Sequence, residues 1–193
     1  MDNREIILKT ALSLFCARGY DAVGVQEIVD QAGITKPTLY YYFGSKQGLL
    51  KEIVDSNCAA LNSGFADATN IQGDISAVLY QVARAYYDFA ESHREFYFFM
   101  LSQFRSGRET EGFQAVYPQV IKYYRMLVNV FERFSDVLGN MNGRQELFAV
   151  SFMGILDSHM LVTLLNRDSV TDLSVSDEKV YEIVRQFLYG IFS

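Results

Sequence analysis

Apolar residues recur every three or four positions along most of the chain, and no stretch alternates apolar and polar residues over a sustained length. This spacing puts apolar side chains on one face of an α-helix, so the pattern predicts an all-α protein. The clearest example is the last segment, 176–192, where apolar residues follow the i, i+3, i+4, i+7 series. These residues are Val180, Ile183, Val184, Phe187, Leu188 and Ile191.

Capping residues and glycines divide the pattern into about nine helices. Asp2 caps the first helix, which Gly19 ends, and Gly33 ends the second. Ser45 caps the fourth. The predicted ranges are 4–18, 25–32, a third helix from residue 36, a fourth after residue 45, and then 74–91, 94–105, 113–138, 144–166 and 176–192.

Residues 25–43 have the form of a helix-turn-helix. Gly33 supplies the positive φ that a short turn between two helices needs. Thr35 caps the following helix, and Pro37 is tolerated in the first turn because its missing N–H has no partner there.

Four consecutive aromatic residues, 40–43, lie on this following helix. Successive helical side chains point about 100° apart, so the four rings cannot all be buried on one face. When Leu39 faces inward, Phe43 does so too. The outward side chains are then Pro37, Thr38 and Tyr41.

This outward face suits the major groove of DNA, because threonine can bond to bases and apolar atoms contact the thymine methyl group. The hydroxyl groups of Tyr40 and Tyr42 flank the face and are placed for phosphate oxygens, while Lys36 and Lys46 bracket the helix. The net charge of −6 at first argues against nucleic acid. Residues 31–51, however, hold three lysines and no acid, a local charge of +3, and phosphate attraction is local.

Residues 6–50 resemble the DNA-binding domain of TetR/AcrR-type transcriptional regulators. The resemblance covers about a quarter of the chain and is carried by Ala32-Gly33, Thr38-Leu39-Tyr40 with Phe43, and Lys46 with Leu49. It implies an all-helical homodimer of about nine helices. An N-terminal three-helix helix-turn-helix domain, 1–46, would precede a C-terminal effector-binding and dimerisation bundle, 47–193.

The resemblance also implies the residues that contact double-stranded DNA. They are Gln26, Thr35, Lys36, Pro37, Thr38, Tyr40, Tyr41, Tyr42 and Lys46. One position departs from the family pattern: Gly24 stands before the second helix, where Ser or Thr is common, so the hydroxyl contact to phosphate is missing.

The C-terminal three quarters of the chain is rich in aromatic residues, and ordinary core is the alternative to a binding role for most of them. The resemblance implies an effector pocket among helices five to eight. Composition favours a small hydrophobic or amphipathic effector. The candidate pocket residues are Tyr86, Phe89, Phe99, Gln103, Phe104, Tyr123, Tyr124, Leu127, Phe152 and Leu156.

The resemblance further assigns helices eight and nine to a dimer interface, and we place there the apolar series of segment 176–192 given above. A partner helix would cover the second side of 147–165, which is apolar enough for a membrane span but has Asp157 and His159 at its centre. The sequence therefore predicts a homodimer and no membrane contact.

Several other classes of protein are disfavoured by motif content. Two histidines and two isolated cysteines, Cys16 and Cys58, do not make a metal site or a disulfide pattern, so we expect no metal, no cofactor and free thiols in a reducing cytoplasm. Glycine-rich phosphate loops and a workable catalytic triad are absent from the sequence, so we expect no enzyme.

The sequence predicts a ligand-responsive, dimeric transcriptional repressor that binds a palindromic operator and is released by a small hydrophobic effector. The alternative is a helical small-molecule carrier with a vestigial helix-turn-helix. A membrane-embedded helical bundle is a third interpretation.

Overall fold

The computed structural model describes residues 2–139, 141–165 and 175–190, without the side chains of residues 164 and 165. In these residues the chain is all-α, with nine helices and no strand, as the apolar spacing predicts. The helices are α1 (Asn3–Arg18), α2 (Val25–Ala32), α3 (Lys36–Phe43), α4 (Lys46–Asn70), α5 (Ile75–Ser92), α6 (Arg94–Phe104), α7 (Glu111–Arg133), α8 (Gln145–Leu165) and α9 (Asp177–Tyr189).

The predicted caps begin the helices as expected. Asp2 accepts a hydrogen bond from the backbone N–H of Glu5 at 2.8 Å, and Ser45 accepts one from the N–H of Gly48 at 2.9 Å. The predicted helix ends at residues 166 and 192 lie outside the described residues.

The prediction for α7 is wrong at both ends. The hydroxyl of Thr110 accepts the N–H of Phe113 at 3.1 Å, so the helix begins at Glu111 and not at residue 113. After Arg133 the backbone changes to tighter turns, in which the N–H of Val137 bonds to the carbonyl of Phe134 at 3.1 Å. The helix therefore ends five residues before the predicted residue 138.

The chain divides into two compact units. The N-terminal unit comprises Met1–Ala59 and His93–Gln119, and the C-terminal unit comprises Ala60–Ser92 and Val120–Ser193. Helices α4 and α7 each contribute residues to both units. The predicted functional division at residues 46 and 47 stays a prediction, since these compact units place α6 and the start of α7 with the helix-turn-helix.

The core of the N-terminal unit lies where α1 packs against α2, α3 and α6. The buried stripe of α1 contains Phe15, whose ring stacks on Phe99 of α6 with centroids 6.1 Å apart. Phe15 also meets Tyr20 edge to face at 5.0 Å. Of the two cysteines, Cys16 is exposed and Cys58 is buried. The helix-turn-helix is therefore held on a scaffold that includes residues from the middle of the chain.

The core of the C-terminal unit lies where α9 packs against α5 and α8. Phe187 of α9 contacts three aromatic rings, with centroid distances of 5.9 Å to Phe131, 6.3 Å to Phe148 and 4.9 Å to Phe152. These contacts make the apolar face of α9 part of the protein's own interior.

This packing corrects the predicted dimer interface. Val180, Ile183 and Val184 are 0%, 1% and 3% exposed, so they face the core of the chain and have almost no surface left for a partner. Phe187 and Leu188 are half-buried, and Ile191 lies outside the described residues. Periodicity identified the apolar face correctly, but that face is covered within the chain.

Helix α8 carries the apolar surface that the chain leaves uncovered. Its segment Gln145–Thr163 is long and apolar enough to cross a membrane, with a mean hydropathy of 1.3, and only 22% of it is buried. The exposed apolar side chains are Leu147, Val150, Leu161 and Val162. A single helix of this kind is weak evidence for a membrane protein, because helices that pack against protein have the same length and composition.

Replacing Gly48 by alanine should lower the free energy of unfolding by about 1–3 kcal/mol, the usual cost of overpacking. The added Cβ would lie 2.0 Å from the carbonyl oxygen of Phe43, a backbone atom with little room to move. Chemical denaturation followed by circular dichroism measures the difference.

Gln47→Ala is the matched control, because Gln47 is exposed on the same helical turn and should change stability by less than about 0.5 kcal/mol. A Gly48→Ala variant at least as stable as the wild type would contradict the close packing of Gly48 against the carbonyl group of Phe43.

Candidate nucleic-acid interface

The turn between α2 and α3 has the conformation predicted for it. Gly33 has φ 65° and ψ 34°, in the left-handed region. Its N–H bonds to the carbonyl of Asp30 at 3.3 Å, and the N–H of Ile34 bonds to the carbonyl of Val29 at 3.0 Å. These bonds satisfy carbonyl groups at the end of α2 and set the direction in which the chain enters α3.

Helix α3 is fixed by its first residues and by one buried side chain. The hydroxyl of Thr35 accepts the N–H of Thr38 at 3.4 Å and shares a hydrogen bond with the Thr38 hydroxyl at 2.9 Å. Pro37 lies in the first turn, as predicted. Leu39 is fully buried and Phe43 is half-buried, so both face the interior.

The three tyrosines of α3 reach solvent to different degrees. Tyr41 is 84% exposed, whereas Tyr40 is 45% and Tyr42 40% exposed. The rings of Tyr41 and Tyr42 meet edge to face, with centroids 5.3 Å apart. Lys36 and Pro37 are exposed and Thr38 is half-exposed. The side chains that the helical spacing placed outward are therefore the ones that solvent, or a duplex, can reach.

Lys46 is held more firmly than its sequence position indicates. Its ammonium group lies 4.1 Å from the centroid of the Tyr20 ring, a cation–π contact. Burial lowers the pKa of Lys46, while the nearby carboxylates of Asp21 and Glu111 raise it. A phosphate group that binds Lys46 must share the ammonium with this ring and these acids.

Tyr20 connects this lysine to α7. Its hydroxyl donates a hydrogen bond to the carboxylate of Glu111, and burial raises the pKa of Tyr20, with further contributions from Glu111 and Asp21. Our sequence analysis missed Tyr20 and Glu111, which are 91 residues apart. No local pattern relates residues at that separation.

One further predicted contact, Gln26, and one lysine of the positive segment, Lys51, already have partners in the chain. The amide of exposed Gln26 donates to the carboxylate of Asp30 at 2.7 Å, one turn further along α2. Lys51, which contributes to the local positive charge, forms an ion pair with Asp55 at 3.0 Å. Gly24 begins α2 without a side-chain cap, as expected for a residue that lacks a hydroxyl.

A small cavity in the C-terminal unit, of ≈ 30 Å³, contains part of the predicted effector pocket. Tyr86, Tyr123, Leu127 and Leu156 line it, and the hydroxyl of Tyr86 donates a hydrogen bond to Asp157. Phe65, Met153 and Asp157 also line the cavity, and of these our sequence-based candidates lacked Phe65 and Met153.

The other predicted pocket residues do not line this cavity. Phe89 and Phe152 are buried in the core of the C-terminal unit, and Tyr124 is half-buried there. The remaining three belong to the N-terminal unit, where Phe99 stacks on Phe15 and Phe104 stacks on Phe113. The three predicted pocket residues that belong to the N-terminal unit are Phe99, Gln103 and Phe104. Within the described part of the chain, no group of three or more His, Cys, Asp or Glu side chains is arranged to hold a metal ion.

Known proteins resemble this chain over its whole length. The transcriptional activator FasR of Mycolicibacterium smegmatis is 28% identical over 98% of this chain and 82% of its own length. The fatty acid degradation regulator FadR of Bacillus halodurans superposes with a TM-score of 0.79 over 100% of this chain and 97% of its own, at 17% identity. FadR of Bacillus subtilis, solved in complex with stearoyl-CoA, superposes with a TM-score of 0.75 over 97% of this chain and 98% of its own, at 18% identity. At these identities the two structures show a common fold.

The helix-turn-helix gives the family. Residues 7–53 match the model of the bacterial regulatory proteins of the tetR family. That segment contains α1, α2, α3 and the start of α4, including the left-handed turn at Gly33 and the exposed face around Tyr41. Residues 7–53 therefore form a DNA-binding domain of the TetR family, and the chain as a whole is similar to transcriptional regulators.

Proposed function

We propose that the protein is a cytoplasmic, dimeric repressor that binds a palindromic operator with α3 and leaves it when a small hydrophobic or amphipathic effector binds the C-terminal unit. The observation that carries the proposal is the exposure of Tyr41, at 84%, on a recognition helix whose opposite face is anchored by fully buried Leu39. An aromatic side chain left in water on a rigid helix is suited to a contact with another molecule.

The groups around Tyr41 divide into two kinds of DNA contact. Pro37, Thr38 and Tyr41 lie on the outward face, where they would meet base edges in the major groove. Exposed Lys36 and Gln26 would add base contacts. Tyr40, Tyr42 and Lys46 flank this face and would bond to phosphates, which fixes register without reading sequence.

The uncovered face of α8 supports a homodimer. Leu147, Val150, Leu161 and Val162 are 59%, 56%, 47% and 51% exposed, and they recur at helical spacing. A second copy would cover this face with the same face, as two-fold symmetry requires. Exposed Tyr181 and Tyr189 of α9 would join the interface in place of the buried residues first assigned to it. Such a dimer would present two recognition helices to half-sites about 34–36 Å apart.

The cavity in the C-terminal unit supports an effector with an acyl chain. Its walls are aromatic and aliphatic, with the Tyr86–Asp157 pair as the polar group. Its volume of ≈ 30 Å³ is far below the roughly 300 Å³ of a ligand pocket, so an effector would have to displace side chains as it enters. Fatty acids and their CoA thioesters are the probes of choice, because FadR of Bacillus subtilis shares the fold and binds stearoyl-CoA.

Helix continuity supports a route from effector to DNA. Cavity residues Tyr123 and Leu127 lie on α7, whose first residue, Glu111, bonds to Tyr20 beside Lys46. Helix α4 likewise begins with Lys46 and continues into the C-terminal unit. Movement of either helix would displace Lys46 or its neighbour Tyr20 at the edge of the proposed interface. An effector that binds the DNA-free conformation more tightly than the DNA-binding one by about 5.5 kcal/mol would move the equilibrium between these conformations from 1:99 to 99:1.

The sign of regulation follows from where the operator lies. A dimer bound over a promoter blocks transcription, whereas the relative FasR carries the name of an activator. A small-molecule carrier with a vestigial helix-turn-helix would need the cavity but not the exposed face of α3. A measurement of DNA binding therefore distinguishes a carrier from a repressor.

Tyr41→Ala should weaken binding to the DNA upstream of the protein's own coding sequence at least about tenfold, equivalent to about 1.4 kcal/mol. The side chain is too exposed for its removal to lower stability, so the melting temperature should not change. Fluorescence anisotropy with a labelled duplex measures the affinity.

Tyr117→Ala is the control, because Tyr117 is an exposed tyrosine on α7 and should leave the affinity unchanged. Wild-type protein that binds this duplex no tighter than a scrambled duplex of the same length would exclude the repressor and favour the carrier.

The double variant Val150→Glu, Leu161→Glu should be a monomer at concentrations where the wild type is a dimer, because the interface would bury four unpaired carboxylates per dimer. Light scattering coupled to size-exclusion chromatography gives the mass. Val137→Glu is the control: this side chain is 73% exposed and lies outside α8 and α9. A double variant with the wild-type mass would place the interface elsewhere.

Leu127→Trp should fill the cavity and abolish release of DNA by stearoyl-CoA, while DNA affinity without the effector stays at the wild-type value. Titrating stearoyl-CoA, and separately stearate, into the labelled DNA complex measures release. Leu127→Met preserves the side-chain volume and should respond as the wild type does. If Leu127→Trp releases DNA at the same stearoyl-CoA concentration as the wild type, this cavity is not the effector site.

A further inference from the structure

The outward face of the recognition helix has an unusual chemistry for a base reader. Helix α3 has the sequence KPTLYYYF and so contains no Arg, Asn, Gln, Asp or Glu. Arginine is the commonest reader of guanine, while Asn or Gln reads adenine and an acid accepts from cytosine. Lys36 is the one charged side chain of this helix, and it stands at the first position. Hydrogen-bonded readout of bases from α3 is therefore confined to lysine, threonine and tyrosine groups.

Several of the remaining polar groups already have partners within the chain. The hydroxyls of Thr35 and Thr38 bond to each other at 2.9 Å, and Thr35 also caps the helix. On α2, the amide of Gln26 is bonded to Asp30 at 2.7 Å. Using any of these groups on a base would break an existing hydrogen bond, which lowers the net gain from the new one.

Apart from the ammonium group of Lys36 and the tyrosine hydroxyls, the surface that remains for base contact is apolar. It consists of the Pro37 ring, the methyl group of Thr38 and the ring of Tyr41, which packs edge to face against Tyr42 at 5.3 Å. Tyr41 is the most exposed of the three tyrosines, at 84%, and it lies one helical turn after Pro37 and Thr38. These three side chains therefore form one continuous strip along the helix. We call Pro37, Thr38 and Tyr41 the apolar strip.

Among the four bases, thymine alone presents a methyl group in the major groove. We infer that α3 reads its operator half-site through thymine methyl groups, with the apolar strip packed on the 5-methyl of thymines at the centre of the half-site. This inference rests on the proposed function. Lys36, at the end of the strip, reaches a guanine or a phosphate at the edge of the same half-site.

The side chains of the apolar strip would determine the base composition of the operator half-site. The base pairs opposite the apolar strip are therefore A·T or T·A. The thymine of each pair is on the strand that brings its methyl group into contact with the strip. Each buried methyl group should contribute about fourfold in affinity, the value for one buried CH₂ group. A half-site with two such thymines therefore loses about sixteenfold when both methyl groups are removed.

Deoxyuridine tests the inference directly, because it differs from thymidine only by lacking this methyl group. The wild-type protein first selects its preferred duplex from a random library. Each thymine of the selected half-site is then replaced by deoxyuridine, one position at a time, and the affinity is measured by anisotropy at fixed salt. We expect a loss of about fourfold at the central thymines and none at thymines outside the half-site.

Three matched changes assign the effect to the apolar strip. 5-Methylcytosine at a central thymine position, paired with guanine, restores the methyl group and should bind more tightly than unmodified cytosine there. Tyr41→Ala should abolish the deoxyuridine effect at the thymine that Tyr41 covers and leave it intact at the others. Tyr41→Phe retains the ring and should keep the full effect.

The outcomes separate the two proposals. If no sequence is enriched over the library, the proposed function fails. If a sequence is enriched but every deoxyuridine substitution leaves the affinity within twofold, the protein is a DNA-binding regulator and the methyl readout is wrong. A selected half-site with G·C pairs at its centre would overturn the inference as well.

Discussion

Burial of Leu39 determines which side of α3 faces outward. This side chain is fully buried where α3 packs on α1 and α2, and burial of a leucine is worth about 1.5–3 kcal/mol. Rotating the helix by one residue would expose Leu39, while the Thr35 cap and the left-handed turn at Gly33 fix where the helix begins. The proposed DNA contacts depend on this orientation, because Pro37, Thr38 and Tyr41 lie opposite Leu39.

Local features of the helix-turn-helix could be predicted from the sequence, whereas its distant supports could not. The turn at Gly33, the Thr35 cap and the inward position of Leu39 depend on residues within one or two helical turns. The contact of Tyr20 with Glu111 spans 91 residues and brings α7 beside Lys46. The local charge of +3 over residues 31–51 was likewise a poor guide, since Asp21 and Glu111 lie near Lys46 only in the folded chain.

The C-terminal unit shows what periodicity leaves open. The apolar periodicity identified Val180, Ile183 and Val184 as one face of a helix. Periodicity does not indicate whether the chain itself or a second copy covers such a face. In the structure the chain covers α9, while the apolar residues of α8 stay exposed. The cavity of the C-terminal unit poses the same difficulty, because Tyr123 lines it and Phe152 fills the core although both are aromatic residues of similar size. Packing, and not composition, separates a wall of a cavity from the core.

A crystal structure of the protein with its selected duplex tests the orientation of α3 directly. We expect two copies of α3 in successive major grooves, each with the Tyr41 ring in van der Waals contact with a base edge and Leu39 still buried. A complex in which the duplex lies on another surface, or in which Tyr41 points away from the bases into solvent, would contradict this expectation.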